Sequence, residues 1–117
     1  MHERSVLGAD GEAAGARWLE SRGWRIVDRN VRYREGELDI IAARGGILAF
    51  IEVKTRRSVR FGIPREAVTS SKQRKIRAVA ARYLMDRRPG FDSVRFDVPE
   101  VDHNDLGFRF EHLEGCF

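Results

Sequence analysis

The stretch GELDIIAARGGILAFIEVK, from Gly36 to Lys54, constrains the fold more than any other part of the chain. Two apolar runs flank Gly45-Gly46, a pair suited to a two-residue hairpin turn. That turn fixes the register: Arg44 faces Ile47, Ile41 faces Phe50, Asp39 faces Glu52 and Glu37 faces Lys54. One face then holds Leu38, Ile40, Ala42, Ile47, Ala49, Ile51 and Val53. The other holds Ile41, Ala43, Leu48 and Phe50, with Glu37, Asp39, Glu52 and Lys54 at its open end. A hairpin apolar on both faces must be covered on both faces, which calls for helices or loops on each side.

The rest of the chain supplies them. GADGEAAGARWLESRG reads as a first helix, with Glu12, Ala16 and Leu19 on one face, Gly15 beside them, and Gly23 as a C′ residue. WRIVDRNVRYR reads as a strand with a bulge near Asp28 to Asn30. TRRSVRFGIPREAV is a basic connection. SSKQRKIRAVAARYLMDRRPG is a second helix, with Ile76, Val79, Ala80, Tyr83 and Leu84 as its apolar stripe. Ser70 or Ser71 can cap it, or it can start near Pro64. SVRFDVPEV is a strand with Val94, Phe96 and Val98 on one side, and LGFRFEHL is a last strand. Helix, three strands, helix and one or two strands describe an α/β sandwich around a mixed sheet. The 117 residues suit one domain, spanning 1–117.

Charge narrows the function. Lys54 to Arg95 carries 13 basic and 3 acidic residues, net +10, against −1 before it and −5 after it. Arg predominates in that segment, and its planar fork suits bidentate phosphate contacts. A polyanion partner is the expectation. No apolar run is long enough to span a bilayer, and the first residues have no secretory h-region. The lone Cys116 suits a reducing cytoplasm. His2, His103 and His112 lack zinc-ligand spacing, and no phosphate-binding glycine loop or serine-histidine triad is visible.

The open end of the hairpin is where chemistry is expected. Asp39 opposite Glu52 sets like charges ~4.5–5.5 Å apart, which destabilises the pair. A proton or a cation between them relieves the repulsion. Glu12 sits on the apolar stripe of the first helix, where a carboxylate is out of place unless it points at the same spot. Lys54 stands two residues beyond Glu52. Three acids, a divalent ion and a lysine suit phosphodiester hydrolysis. Lys72 and Gln73, at the start of the second helix, suit a substrate phosphate. Arg56, Arg57 and Arg60 suit contacts with a nucleic-acid backbone, and Arg32 can point either way. Asp97 beside Arg95 reads as a structural ion pair.

The spacing Glu12…Asp39…Glu52-x-Lys54 resembles the PD-(D/E)xK nuclease superfamily, although Leu38 stands where its signature has proline. More closely, the chain resembles the YraN-like family of small uncharacterised bacterial proteins, described as predicted endonucleases similar to archaeal Holliday-junction resolvases. The matching stretches are Gly8-x-x-Gly11-Glu12, Asn30-x-Arg32, Gly36 to Ala42, Phe50 to Lys54 with Arg56, Gly62-x-Pro64, Lys72 and Arg95 to Val98. The resemblance implies a restriction-endonuclease-like αβββαβ core with an extra C-terminal strand. It implies Glu12, Asp39, Glu52 and Lys54 at catalytic positions, the three acids holding Mg2+ or Mn2+. The expected activity is endonucleolytic cleavage of structured or branched DNA in the cytoplasm, with nucleic acid as partner, no membrane, and a homodimer as a further candidate. The alternative is a non-catalytic nucleic-acid-binding module on the same fold.

Overall fold

The structure, a computed structural model, describes residues 3–57, 69–104 and 107–113, with side chains described over 11–54 and 69–99. The elements are α1 (Glu3–Ser21), β1 (Arg25–Tyr33), β2 (Gly36–Arg44), β3 (Ile47–Ile51), β4 (Lys54–Arg57), α2 (Ser70–Arg87), β5 (Ser93–Asn104) and β6 (Gly107–Leu113). β1, β2 and β3 form an antiparallel meander. β3 pairs in parallel with the first half of β5, and the second half of β5 lies between β4 and β6. This is a mixed sheet with an αβββαβ core and a C-terminal strand, as expected.

The Gly45-Gly46 turn sets the central hairpin. Both residues have positive φ, 51° and 81°, which a type I′ turn requires and glycine adopts without strain. The register follows, with Arg44 on Ile47, Ile41 on Phe50 and Ile40 on Ile51. The tip is also docked: the Gly46 carbonyl accepts from the Asp92 and Ser93 amides at 3.0 and 3.3 Å. A Cβ on Gly46 would come within 2.6 Å of Asp92 Oδ2.

Both faces of the hairpin are covered. α2 lies over β2 and β1, and α1 lies against β1, β4, β5 and β6. Under α2, Ile41, Ala43, Leu48 and Phe50 meet Ile76, Val79, Ala80 and Tyr83. Under α1, Ile40, Ala42, Ala49 and Ile51 meet Ala16, Leu19 and Trp24. Leu38, Ile40, Ile41, Leu48, Phe50 and Ile51 are essentially inaccessible. Each such burial contributes ~1.5–3 kcal/mol, so the two-sided hairpin is a leading source of stability. One residue departs from the expected alternation: Leu38 packs with Val31 in the α2-side cluster. β1 is irregular there. Its register shifts between Ile26 and Asp28, and Asn30, which falls opposite Asp39, has φ 52°. Asparagine tolerates that left-handed conformation better than most residues. The expected bulge is therefore present, and the pair of strands bends beside the charged end.

The helices end as their sequences direct. Gly23 has φ 92°; its amide reaches Glu20 O and the Trp24 amide reaches Leu19 O, a Schellman motif closing α1. The small residues Gly11, Ala14, Gly15 and Ala16 are buried, which brings α1 close to the sheet. α2 is capped by Thr69, whose hydroxyl accepts from the Lys72 amide at 3.2 Å, and not by Ser70 or Ser71, which are already helical. Pro64 lies outside the described residues.

Two expectations for the later strands need correction. Thr55–Arg57, read from sequence as the start of a connection, belongs with Lys54 to strand β4 (Lys54–Arg57). Ile51 pairs with Asp97 and Lys54 with Glu100, both offset by 46 positions. β3 and β4 are thus two halves of one strand along β5, interrupted at Glu52-Val53. Basic residues with no apolar alternation gave β4 no pattern to reveal it. Val94, expected inward with Phe96 and Val98, is exposed near the start of β5, and further along the strand Val98 and Asp97, on opposite sides of it, are both buried. Arg95 satisfies Asp97 bidentately, Nε to Oδ1 at 3.0 Å and Nη2 to Oδ2 at 2.9 Å. Removing one partner of a buried ion pair strands the other charge. Arg95→Met should lower stability by ~3–5 kcal/mol, read as a fall in the urea midpoint. A loss under ~1 kcal/mol would show that Asp97 has adequate partners without it.

Candidate functional site

The site forms where the sheet's middle strand breaks. After Ile51 the chain leaves the β2 ladder. The Glu52 amide turns to Asp97 O at 3.2 Å, and the Val53 amide donates to Asp39 Oδ2 at 2.7 Å. The expected direct opposition of Asp39 and Glu52 is therefore modified. The ladder ends at Ile40 and Ile51, and the Asp39 carboxylate occupies the acceptor position that a β2 carbonyl would have filled. The expected pair of Glu37 with Lys54 does not form. Glu37 faces Arg32 across β1 and β2 and pairs with its Nε at 3.0 Å, because Lys54 belongs to β4.

Asp39 is within electrostatic reach of Glu12, Glu52 and Glu37. Burial pushes its pKa from 3.8 up to about 7; the Val53 amide opposes the shift, and the charges of Glu12, Glu52 and Glu37 reinforce it. Burial also raises Glu12; Arg29 opposes this and Glu37 adds to it. Glu12 Oε1 is buried and accepts no hydrogen bond. Arg29 Nη2 stands 3.7 Å from it, an ionic contact too long for a hydrogen bond. Glu52 Oε1 pairs with Lys72 Nζ at 2.8 Å. Lys54 opens β4 two residues beyond Glu52 and is half-buried.

The four residues that carried the chemical expectation thus come from three elements and the strand break. Among the described residues, no three carboxylate, histidine or cysteine side chains stand in ligand geometry about one point. Glu52 is turned to Lys72 and Glu12 to Arg29. The donors nevertheless suit a hard divalent cation, which takes oxygen ligands. A buried carboxylate oxygen lacks a hydrogen-bond donor, and the Asp39 carboxyl is held far above its ordinary range by burial, with the neighbouring acids adding to the shift.

The basic residues divide. Lys72 is at the site through Glu52, with Gln73 next to it in the first turn of α2. Arg32 is exposed at the same end of the hairpin, paired with Glu37. Arg56 and Arg57 lie on β4, on a backbone that runs directly from the site. Arg60 lies outside the described residues. Sequence reasoning missed Arg29 as the partner of Glu12, because the bulge in β1 takes it out of simple alternation. Among the described residues no helix is long and apolar enough to cross a membrane.

A mixed sheet flanked by two helices, on an αβββαβ core with an additional C-terminal strand, makes this an α/β protein. The chain belongs to uncharacterised protein family UPF0102, whose profile matches residues 11–101. It is 48% identical over 113 residues to a UPF0102 protein of Rhodococcus jostii, covering 88% of this chain and 96% of the relative. It is 50% identical to one of Symbiobacterium thermophilum, covering 82% and 81%. It is 43% identical to one of Chlorobaculum parvum, covering 100% and 95%.

The raised Asp39 pKa makes stability depend on pH. Between 3.8 and about 7 the folded chain holds a proton that the unfolded chain has released. Stability therefore falls as pH rises through that window, and the cost is complete above it. Asp39→Asn should raise Tm in metal-free buffer at about pH 8 by about 4 °C, and the gain should fade towards pH 4. A gain independent of pH in thermal melts would mean that ionisation of Asp39 is not the source.

Proposed function

We propose that the chain is a Mg2+- or Mn2+-dependent endonuclease acting on structured or branched DNA. The observation that carries this reading is the Asp39 carboxylate, held at the strand break by the Val53 amide and within electrostatic reach of Glu12 and Glu52. One carboxyl is held near neutral pKa and one buried carboxylate oxygen lacks a hydrogen-bond donor. Solvated surface acids have neither property.

Glu12, Asp39 and Glu52 would hold the cation. When bound, it supplies Lewis-acid polarisation of the phosphate under attack. The chain's own groups do the rest. Val53 fixes one oxygen of Asp39, so the carboxylate presents a set orientation rather than a rotating one. Lys54, on the rigid start of β4, orients the attacking water and stabilises negative charge as it develops. Lys72, Gln73, Arg32, Arg56, Arg57 and Arg60 hold the backbone by its phosphates, which positions the substrate without reading its sequence. Membership in UPF0102 is compatible with this chemistry and does not itself assign it.

The test compares wild type with Lys54→Ala on four-way junctions, flaps, nicked duplex and single strands, with Mg2+ and with Mn2+. Lys54→Ala should bind DNA almost as wild type does and cleave at least ~10²-fold more slowly. If purified wild type binds these substrates and cuts none of them, the non-catalytic binding module replaces the enzyme.

A further inference from the structure

Two of the three acids at the site are each held by a basic side chain from another element. Lys72 of α2 holds Glu52 at 2.8 Å, and Arg29 of β1 stands 3.7 Å from Glu12. The two pairs share an asymmetry. The Lys72 side chain is 55% exposed against 22% for Glu52, and that of Arg29 is 41% exposed against 17% for Glu12. In each pair the acid is recessed and the base stands in solvent. The backbone of Lys72 is fixed, since its amide is bonded to the Thr69 hydroxyl at the helix cap, but its side chain is long and rotatable. The first turn of α2 contains no acid to receive Lys72 if it leaves Glu52.

We propose that Lys72 and Arg29 are exchangeable counterions: they occupy Glu52 and Glu12 until a divalent cation enters, then pass to the phosphates of the nucleic acid. The inference rests on the metal-dependent reading above and adds a coupling to it. A cation entering among Glu12, Asp39 and Glu52 repels both basic groups and takes over their carboxylates. A polyanion at the mouth of the site gives those groups a new partner. Each ligand thereby removes a cost of binding the other. By linkage, the factor by which metal tightens DNA binding equals the factor by which DNA tightens metal binding. A lysine that only braced α2 against the strand break would create no such factor.

Calorimetry with Mg2+ and with Mn2+ tests this, with and without a non-hydrolysable phosphorothioate duplex. DNA affinity is measured by fluorescence anisotropy with and without the metal. In wild type, each ligand should tighten the other by about tenfold, within the ordinary range for coupled sites. Lys72→Ala should bind metal alone at least ~3-fold more tightly, and its coupling factor should fall at least ~3-fold. Arg29→Gln should shift both quantities in the same direction by less, since its contact is longer. Lys72 is exposed, so thermal melts should show the variant folded. Metal uptake in Lys72→Ala that is unchanged or weaker, or a coupling factor unchanged from wild type, overturns the inference and leaves the metal site standing. Absence of Mg2+ and Mn2+ uptake in both proteins, with and without DNA, overturns the inference together with the metal-dependent reading.

Discussion

The hydrogen bond from the Val53 amide to Asp39 Oδ2 is the contact on which the candidate site depends. A strand that stops pairing on one side leaves amides that need acceptors. Glu52 finds one on β5, and Val53 finds one on a side chain of β2. The second solution binds the geometry of the strand break to the position of a carboxylate. It also holds that carboxylate in a half-buried place where ionisation is unfavourable. Because β3 and β4 keep one offset along β5, the break is short, and Glu52 and Lys54 are set on either side of it by a continuous strand axis.

The electrostatics follow from the same arrangement. Desolvation and neighbouring acids both act against the charge on Asp39, and one amide does not offset them. The deficit is local. Lys72 and Arg29 answer Glu52 and Glu12, while Arg95 is committed to Asp97. Positive charge is abundant in the chain, and in the pairs made by Glu52 and Glu12 the basic partner is the more exposed member. That placement distinguishes the site from the exposed pair of Arg32 and Glu37 nearby, which surface hydration largely neutralises.

Much of the fold was legible because the hairpin carries a pattern with one solution. Gly45-Gly46 dictated the register, and apolar residues on both faces dictated two covering layers. The stripe from Ile76 to Tyr83 identified the helix that supplies one of them. The parts that were not legible depend on backbone groups or on distant strands. β4 has no alternation to announce it, and only its pairing with β5 makes it a strand. The exchange of a ladder carbonyl for the Asp39 carboxylate has no residue-level signature. Glu12 could be singled out because an acid on an apolar stripe is costly. Arg29 could not, because its position depends on the bend at Asn30. The acids were therefore recognisable as a set before their partners were.

The far end of the hairpin has a mechanical meaning for the near end. A β-turn of two glycines is ordinarily the most yielding part of a sheet and the natural place for a chain to accept an insertion. Here the Gly46 carbonyl is held by two amides, and the space where a side chain would stand is taken by Asp92. The hairpin is thus clamped at its tip and tethered at its open end, like a beam fixed at both supports. Such a beam cannot pivot to accommodate a ligand. Whatever adjustment the carboxylates make must come from side-chain rotation, and a lengthened tip would be transmitted along the strands to Asp39 and Glu52.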